Sequence, residues 1–149
     1  MATALDILTI LSVGFMIGTE FAVSAFVNPI LARLDAKAET AATRLFAQKL
    51  GQVMPFWYVL CFVLMTLEAW MRRHNPEVIW LVVAGSLFAF AIVMTLIFLV
   101  PINNRISGAQ EEVFPDSLKQ EHRIWDRLHR GRVLVLVSAM VLFLVGIHA

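Results

Sequence analysis

Residues 78–100 read VIWLVVAGSLFAFAIVMTLIFLV, an apolar run of 23 residues without a charged side chain. At about 1.5 Å of rise per residue, a helix of this length crosses the roughly 30 Å hydrocarbon core of a bilayer. Hydrophobic residues make up 60% of the chain and charged residues 15%, and the mean hydropathy is +0.79. This composition is too apolar for a soluble domain, so the sequence predicts an integral membrane protein.

Three further segments are long and apolar enough to span a membrane as helices: Leu5–Leu34, Val53–Met71 and Val133–His148. Strands of a β-barrel are excluded because all four segments are continuously apolar and do not alternate. We therefore predict an all-α fold, a four-helix transmembrane bundle, in a single integral membrane domain that covers residues 1–149. The expected helices cover about residues 5–34, 50–72, 78–101 and 121–148.

The basic residues predict the orientation of the bundle. Of the 12 lysines and arginines, only Arg72 and Arg73 lie in the connection between the second and third helices. The others are Arg33, Lys37, Arg44, Lys49, Arg105, Lys119, Arg123, Arg127, Arg130 and Arg132. The positive-inside rule places both long connections in the cytoplasm and both termini outside it, which we expect to be across the bacterial inner membrane. The same side chains also suit contact with anionic membrane lipid.

A short internal repeat predicts how the helices are arranged. FVNPILARL at residues 26–34 matches FLVPINNRI at residues 98–106 with a constant offset of 72 residues. This offset predicts two repeated helical hairpins related by a pseudo-twofold axis along the membrane normal. Pro29 and Pro101 occupy matching positions, and each is expected to mark a helix end or a kink.

Glu20 is the unexpected residue of the first helix, because it lies within the apolar stretch Leu5–Leu34. An ionised side chain near the bilayer centre costs about 2.5–3.5 kcal/mol on insertion scales. Ser24 and Asn28 follow Glu20 at intervals of four residues, so an α-helix would place all three on one face. We therefore expect Glu20 to face a polar pocket inside the bundle, where it pairs with a cation or is protonated.

Trp125, His129 and Arg132 form a matching polar face on the fourth helix. Counted at about 1.5 Å per residue, Glu20 lies roughly 22 Å and Arg132 roughly 25 Å from the outer ends of their antiparallel helices. The two charges are therefore expected at nearly equal depth, in the cytoplasmic half of the bundle. The expected facing pairs are Glu20 with Arg132, Ser24 with His129, and Asn28 with Trp125, with Asn103 and Asn104 close by.

Each of these residues also has a purely structural interpretation. A buried Glu20–Arg132 pair can simply fix the helix register. His129 alone would be an interfacial histidine and Trp125 an anchor of the aromatic belt. Asn103 and Asn104 alone would cap a helix end. The convergence of all these groups at one depth is what favours a site.

The segments GTEFAVSAFVNP, VPINNRI and WDRLHRGR give the chain a family resemblance. Together they resemble the anthrone-oxygenase-like family of small four-helix membrane proteins, in order and over nearly the whole chain. The resemblance implies oxidation of an anthrone to an anthraquinone by O₂ without metal or flavin. Carried over residue by residue, it points to Glu20, Asn28, Asn103, Trp125, His129 and Arg132.

The residue types suit such chemistry. An acidic aromatic C–H or phenol reacts with O₂ once it is deprotonated, which requires a base, donors for the resulting oxyanion and a dry pocket. His129 suits the base, and Arg132 with Asn28 and Asn103 suits the oxyanion site. Trp125 offers a stacking face for a planar substrate, and Glu20 would hold Arg132 in place.

Two functions therefore remain open. The first is a membrane-embedded oxygenase or oxidoreductase that acts on a small lipophilic aromatic or quinone-like compound without a cofactor. The second is a non-enzymatic membrane protein that binds a lipid or a partner, in which the polar cluster only fixes the bundle. No metal is expected, because Cys61 is the only cysteine and no HExxH or facial-triad spacing is present. Haem ligation by His129 has no further support, and nucleic-acid binding has no basis in the sequence.

Overall fold

The computed structural model describes residues 2–148, and over that range it consists of four long helices without a strand. They are α1 (Ala2–Ala22, a π-helical segment Val23–Val27, and Asn28–Leu31), α2 (Ala36–Met71), α3 (Val78–Met94, a π-helical segment Thr95–Leu99, and Val100–Gly108) and α4 (Asp116–His148). All four are long and apolar enough to cross a membrane. The predicted all-α fold with four such helices is confirmed.

Three of the helices extend beyond the apolar segments from which they were predicted, whereas α1 ends at Leu31, three residues before the predicted end at Leu34. α2 begins at Ala36 and not near residue 50, because the Asp35 side chain accepts hydrogen bonds from the backbone N–H groups of Lys37 and Ala38, both at 3.1 Å. This N-cap satisfies donors of the first turn and starts the helix within polar sequence. α4 likewise begins at Asp116, ahead of residue 121. Hydropathy therefore marked the part of each helix that suits the bilayer and not the whole helix.

The two π-helical segments preserve the offset of the sequence repeat. Val23–Val27 and Thr95–Leu99 begin 72 residues apart, and each ends two residues before its proline. A proline has no N–H to donate and clashes with the carbonyl four residues earlier, and the wider turn of a π-helix relieves that clash. Pro29 lies close to the end of α1, whereas Pro101 lies inside α3, which continues to Gly108. Superposition of the two hairpins stays a prediction.

The two ends of the bundle differ in packing. We call the end with the α1–α2 and α3–α4 connections the connection end, and the end with both termini and the α2–α3 turn the terminal end. Towards the terminal end all four helices contribute to one apolar core, made of Val13, Met16, Tyr58, Cys61, Met65, Leu81, Ala84, Phe88, Ala91, Leu136 and Phe143. α3 and α4 approach closely there, since a Cβ added at Gly146 would lie 2.8 Å from Leu81 Cδ2. This half leaves little space between the helices.

At the connection end, the segment that joins α3 to α4 folds back onto α2. The buried Phe114 packs against Ile102 and Ile106, and its backbone N–H donates to Thr40 Oγ1 at 3.1 Å. Arg44 of α2 donates to the carbonyl of Glu111 at 2.5 Å. These contacts hold the connection against the bundle and leave a space between it and the apolar core.

Candidate functional site

A cavity of about 570 Å³ lies between the four helices on the connection side of the apolar core. Most of its lining is apolar, with contributions from Val23 of α1, Met54 of α2 and Leu99 of α3. The polar side chains that line it are Thr19, Glu20, Gln48, Gln52, Tyr58, Thr95, Asn103, Asn104, Ser107, Trp125, His129 and Arg132. A mostly apolar cavity with a few convergent polar groups is typical of a small-molecule site.

The two charges at the centre of this cavity are Glu20 of α1 and Arg132 of α4. Both are buried, with 3% and 5% of their surface exposed, and Arg132 Nη2 donates to Glu20 Oε2. Arg132 Nη1 donates to Thr95 Oγ1 at 3.0 Å, at the start of the π-helical segment of α3. Arg132 Nε is buried and has no hydrogen-bond partner among the described residues. Arg132 is thus fixed by two helices and keeps one N–H that the protein does not use.

His129 joins this pair through both of its ring nitrogens. Nε2 lies 3.1 Å from the backbone carbonyl of Glu20, to which only a protonated Nε2 can donate. Nδ1 lies 2.8 Å from Arg132 Nη2 and 3.2 Å from Glu20 Oε2. The arrangement fits a neutral imidazole whose Nδ1 accepts a hydrogen bond from Arg132. A proton added at Nδ1 would be stabilised by the Glu20 carboxylate.

Tyr58 completes the central cluster, and the sequence interpretation did not include it. Its hydroxyl donates to Glu20 Oε1 at 3.0 Å, and its ring lies 5.6 Å from Arg132 Cζ. The two Glu20 oxygens therefore have different partners, Tyr58 on one and Arg132 on the other. The sequence could have indicated Tyr58, because it is the only tyrosine in the chain and a phenol inside an apolar span needs a hydrogen-bond partner.

Trp125 stacks on His129, with ring centroids 4.6 Å apart and an interplanar angle of 12°. The ring of His122 also stacks on Trp125, with ring centroids 6.1 Å apart. Trp125 therefore orients the imidazole of His129 and also lines the cavity. Its role as a platform for a planar substrate stays a prediction.

Asn103 and Asn104 line the cavity from α3. Asn103 Nδ2 donates to the carbonyl of Ala47 on α2 at 3.1 Å. The approach is close, since a Cβ added at Gly51 would lie 2.9 Å from that same nitrogen. Asn103 thus joins α2 to α3 as well as facing the cavity.

Ser24 and Asn28 do not line the cavity. The stripe that linked them to Glu20 assumed an α-helix, but Ser24 lies within the π-helical segment Val23–Val27, where the rotation per residue differs. Asn28 does reach α4, where its Nδ2 donates to Asp126 Oδ1 at 2.8 Å. Asn28 therefore joins α1 to α4 beside the site through Asp126, the residue after Trp125, and the facing of Ser24 with His129 stays a prediction.

Within the part of the chain that the structure describes, no three His, Cys, Asp or Glu side chains are grouped so as to hold a metal ion.

A second buried cluster of charges, which we call the terminal cluster, lies at the terminal end, and the sequence interpretation did not include it. Glu68 is completely buried, accepts from Thr9 Oγ1 at 3.4 Å, and pairs with Arg72, the C-cap residue of α2. Arg72 also donates to Asp6 at 2.5 Å.

Comparison with protein families gives a match to the family described as anthrone oxygenase, over residues 42–142. The matched segment contains Tyr58, Asn103, Trp125, His129 and Arg132 but not Glu20. Comparisons with curated proteins and with solved structures gave no match. The family match covers more than half of the chain, so the protein belongs to the anthrone oxygenase family.

Proposed function

We propose that this protein is a membrane-embedded oxygenase that oxidises a small lipophilic aromatic or quinone-like compound in the cavity, with no metal or flavin. The observation that carries the proposal is Arg132, a buried guanidinium that lines a mostly apolar cavity and is joined there to Glu20 and His129. The volume of about 570 Å³ suits a tricyclic compound.

The reaction balances with O₂ as the only oxidant. An anthrone methylene loses two hydrogens and gains one oxygen atom as the new carbonyl, and the second oxygen atom leaves as water. The first step removes a proton from the substrate and leaves an electron-rich carbanion whose charge lies mainly on the carbonyl oxygen. The carbanion carbon then forms a bond to O₂, which takes up its electron pair, and the resulting peroxide anion takes back the proton that the first step removed. The hydroperoxide loses its outer OH group and the remaining C–H hydrogen as water, and the quinone carbonyl forms.

The central cluster can couple the first step to stabilisation of its product. His129 takes the proton at Nδ1, and Glu20 Oε2, 3.2 Å away, stabilises the imidazolium. The protonated Nδ1 no longer accepts from Arg132, so one N–H of Arg132 Nη2 becomes free to donate to the oxyanion that has just formed, while the other stays on Glu20 Oε2. Tyr58 and Thr95 hold Glu20 and Arg132 in place meanwhile. Such pre-organised donors in a dry cavity provide electrostatic stabilisation.

The test is turnover of 1,8-dihydroxyanthrone by the protein in lipid nanodiscs, with the spontaneous oxidation in empty nanodiscs subtracted. We expect one O₂ consumed per quinone formed, at a rate that a metal chelator does not change. Arg132→Lys keeps the charge but loses the guanidinium fork, and it should lower the rate about 100-fold.

Arg72→Lys is the matched control, because Arg72 also pairs with a buried glutamate but lies outside the cavity. It should leave the rate nearly unchanged. Equal rates for the parent protein, Arg132→Lys and empty nanodiscs would instead support a non-enzymatic membrane protein that binds a lipid or a partner.

The proposal also includes an orientation in the membrane with both long connections in the cytoplasm. A cytoplasmic reporter that is active when fused at the C-terminus would contradict this orientation.

A further inference from the structure

The cavity reaches the outer surface of the bundle between α2 and α3. Val59 of α2 and Leu96 of α3 both line the cavity, and each is 61% exposed. Residues that line a cavity and also face outward mark its mouth. Both belong to apolar membrane-spanning helices, so at this level the mouth opens toward lipid and not toward water.

Contacts between α2 and α3 bound this opening at both ends. Towards the connection end, Asn103 donates to the carbonyl of Ala47 at 3.1 Å and Gln48 donates to the carbonyl of Ser107 at 2.8 Å. Towards the terminal end, the rings of Phe62 and Phe88 stack with centroids 6.5 Å apart. We call the gap between these contacts the slot. Its walls are Gly51, Pro55 and Val59 on α2 and Leu96 and Val100 on α3.

Each wall of the slot departs from regular α-helical hydrogen bonding at one point. Pro55 lies inside the continuous helix α2 and cannot donate to the carbonyl of Gly51. Opposite them is the π-helical segment Thr95–Leu99 of α3. Irregular backbone at membrane depth is tolerated where it lines a cavity, and π segments are frequent at functional sites. The slot is therefore built by sequence features of both helices.

The slot also changes in polarity along its length. Gln48 and Asn104 line the cavity at the connection end, whereas Val59 and Leu96 line it towards the middle of the bundle. From Gln48 to Val59 the rise along α2 is about 16 Å. A molecule with polar groups on one side and hydrocarbon on the other lies in a bilayer with this same order of polarity along the membrane normal.

We propose that the slot admits an amphiphilic hydroxylated aromatic compound sideways from the bilayer, with its polar edge towards Asn103 and Asn104 and its hydrocarbon part between Val59 and Leu96. The route and the amphiphilic character of the ligand rest on the slot itself. That the ligand is a hydroxylated aromatic compound and is then oxidised rests on the proposed function.

The experiment measures binding without turnover. The probe is 1,8-dihydroxyanthraquinone, mixed rapidly with the protein in nanodiscs, with empty nanodiscs as the reference for partitioning into lipid. Val59→Trp and Leu96→Trp narrow the slot, and each should lower the association rate constant about tenfold. Their matched controls are Val63→Trp and Val93→Trp, because Val63 and Val93 are also exposed on the same helices but do not line the cavity. The controls should bind at the parent rate.

A third variant, Ser107→Trp, obstructs the cavity at the connection end. A larger effect of Ser107→Trp than of Val59→Trp would mean entry from the aqueous side and would overturn the proposal, as would equal rates for Val59→Trp and Val63→Trp. If one slot variant does not fold, the variant on the opposite wall gives the same answer. A probe that enters through the slot while 1,8-dihydroxyanthrone is not turned over would retain the slot and reject the proposed oxygenase.

Discussion

The protein contains two buried Glu–Arg pairs, one at each end of its apolar core. Glu20 and Arg132 join α1 to α4, while Glu68 and Arg72 are four residues apart on α2. Both glutamates are buried, and both pairs have a hydroxyl donor, Tyr58 in the first and Thr9 in the second. The same chemical groups therefore occur twice in one bundle.

The surroundings of the two pairs differ. Arg132 faces a cavity, and only 6% of its side chain is exposed. Arg72 lies outside the cavity at the end of a span, and its side chain is 16% exposed and also contacts Asp6. A buried ion pair alone is thus no indication of a site, since Glu68 and Arg72 form one within α2 and its C-cap, and their contacts with Thr9 and Asp6 serve only to join α1 to α2. The adjacent cavity and His129 are what distinguish the first pair.

The largest expected effect comes from double-mutant cycles on the two pairs. Glu20→Gln and Arg132→Gln should each lower the free energy of unfolding in detergent by about 3–5 kcal/mol, because each leaves a buried charge without its partner. The double variant should recover much of that loss. Thermal unfolding and titration with a denaturing detergent both measure these values.

The same cycle on Glu68 and Arg72 should show weaker coupling. Helices of membrane proteins largely persist in the unfolded state in detergent, so a pair within one helix is partly kept there and contributes less to the difference. Coupling at Glu68–Arg72 equal to that at Glu20–Arg132 would contradict this reasoning. Additive losses at Glu20 and Arg132 would mean that these two side chains do not interact.

The second largest expected effect is a loss of turnover when His129 is replaced, and among the described residues no histidine occupies the corresponding place beside Glu68. His129→Gln keeps a donor and an acceptor but removes the basic ring, so turnover should fall about 100-fold or more. The loss of stability should be smaller, about 1–2 kcal/mol, because some hydrogen bonds are re-formed. The control is His122→Gln, since His122 also contacts Trp125 but does not line the cavity. Unchanged turnover in His129→Gln would remove His129 from the proposed chemistry.

The sequence predicted the part of this site that follows from regular helix geometry. The fixed rise per residue and the antiparallel order were enough to place Glu20 level with Arg132. The spacing of four residues was enough to bring Trp125 onto His129.

What the sequence did not predict depends on departures from that geometry or on neighbouring helices. Ser24 lies in the π-helical segment Val23–Val27 and does not line the cavity, and the prediction for it used regular α-helical geometry although Pro29 follows that segment by two residues. Tyr58 and Thr95 contribute through single contacts from α2 and α3 and form no stripe of their own. Arg72 was interpreted from its position as an outer-surface charge, so its contacts with Glu68 and Asp6 were not foreseen.

The smallest expected effect is the difference in stability between variants that lack one of the two hydroxyl donors, Tyr58 and Thr9. Tyr58→Phe and Thr9→Val each remove a hydroxyl and nearly preserve the shape of the side chain. Tyr58 donates to Glu20 at 3.0 Å, whereas the bond from Thr9 to Glu68 is longer, at 3.4 Å. Hydrogen bonds to charged groups contribute about 1.5–3 kcal/mol, and a bond near the distance limit contributes less. Thermal unfolding should therefore show a clear loss of unfolding free energy for Tyr58→Phe and a loss below about 1 kcal/mol for Thr9→Val.

The two variants should also differ in ligand binding. Tyr58 lines the cavity and helps to hold the Glu20 carboxylate against Arg132, so Tyr58→Phe should weaken binding of 1,8-dihydroxyanthraquinone as well as stability. Thr9 lies outside the cavity, and Thr9→Val should bind the probe like the parent protein. Weaker binding in Thr9→Val would mean that the terminal cluster and the cavity are coupled through the core. A smaller stability loss for Tyr58→Phe than for Thr9→Val would mean that the phenol is not what fixes Glu20, and Arg132 and His129 would then be sufficient to hold it.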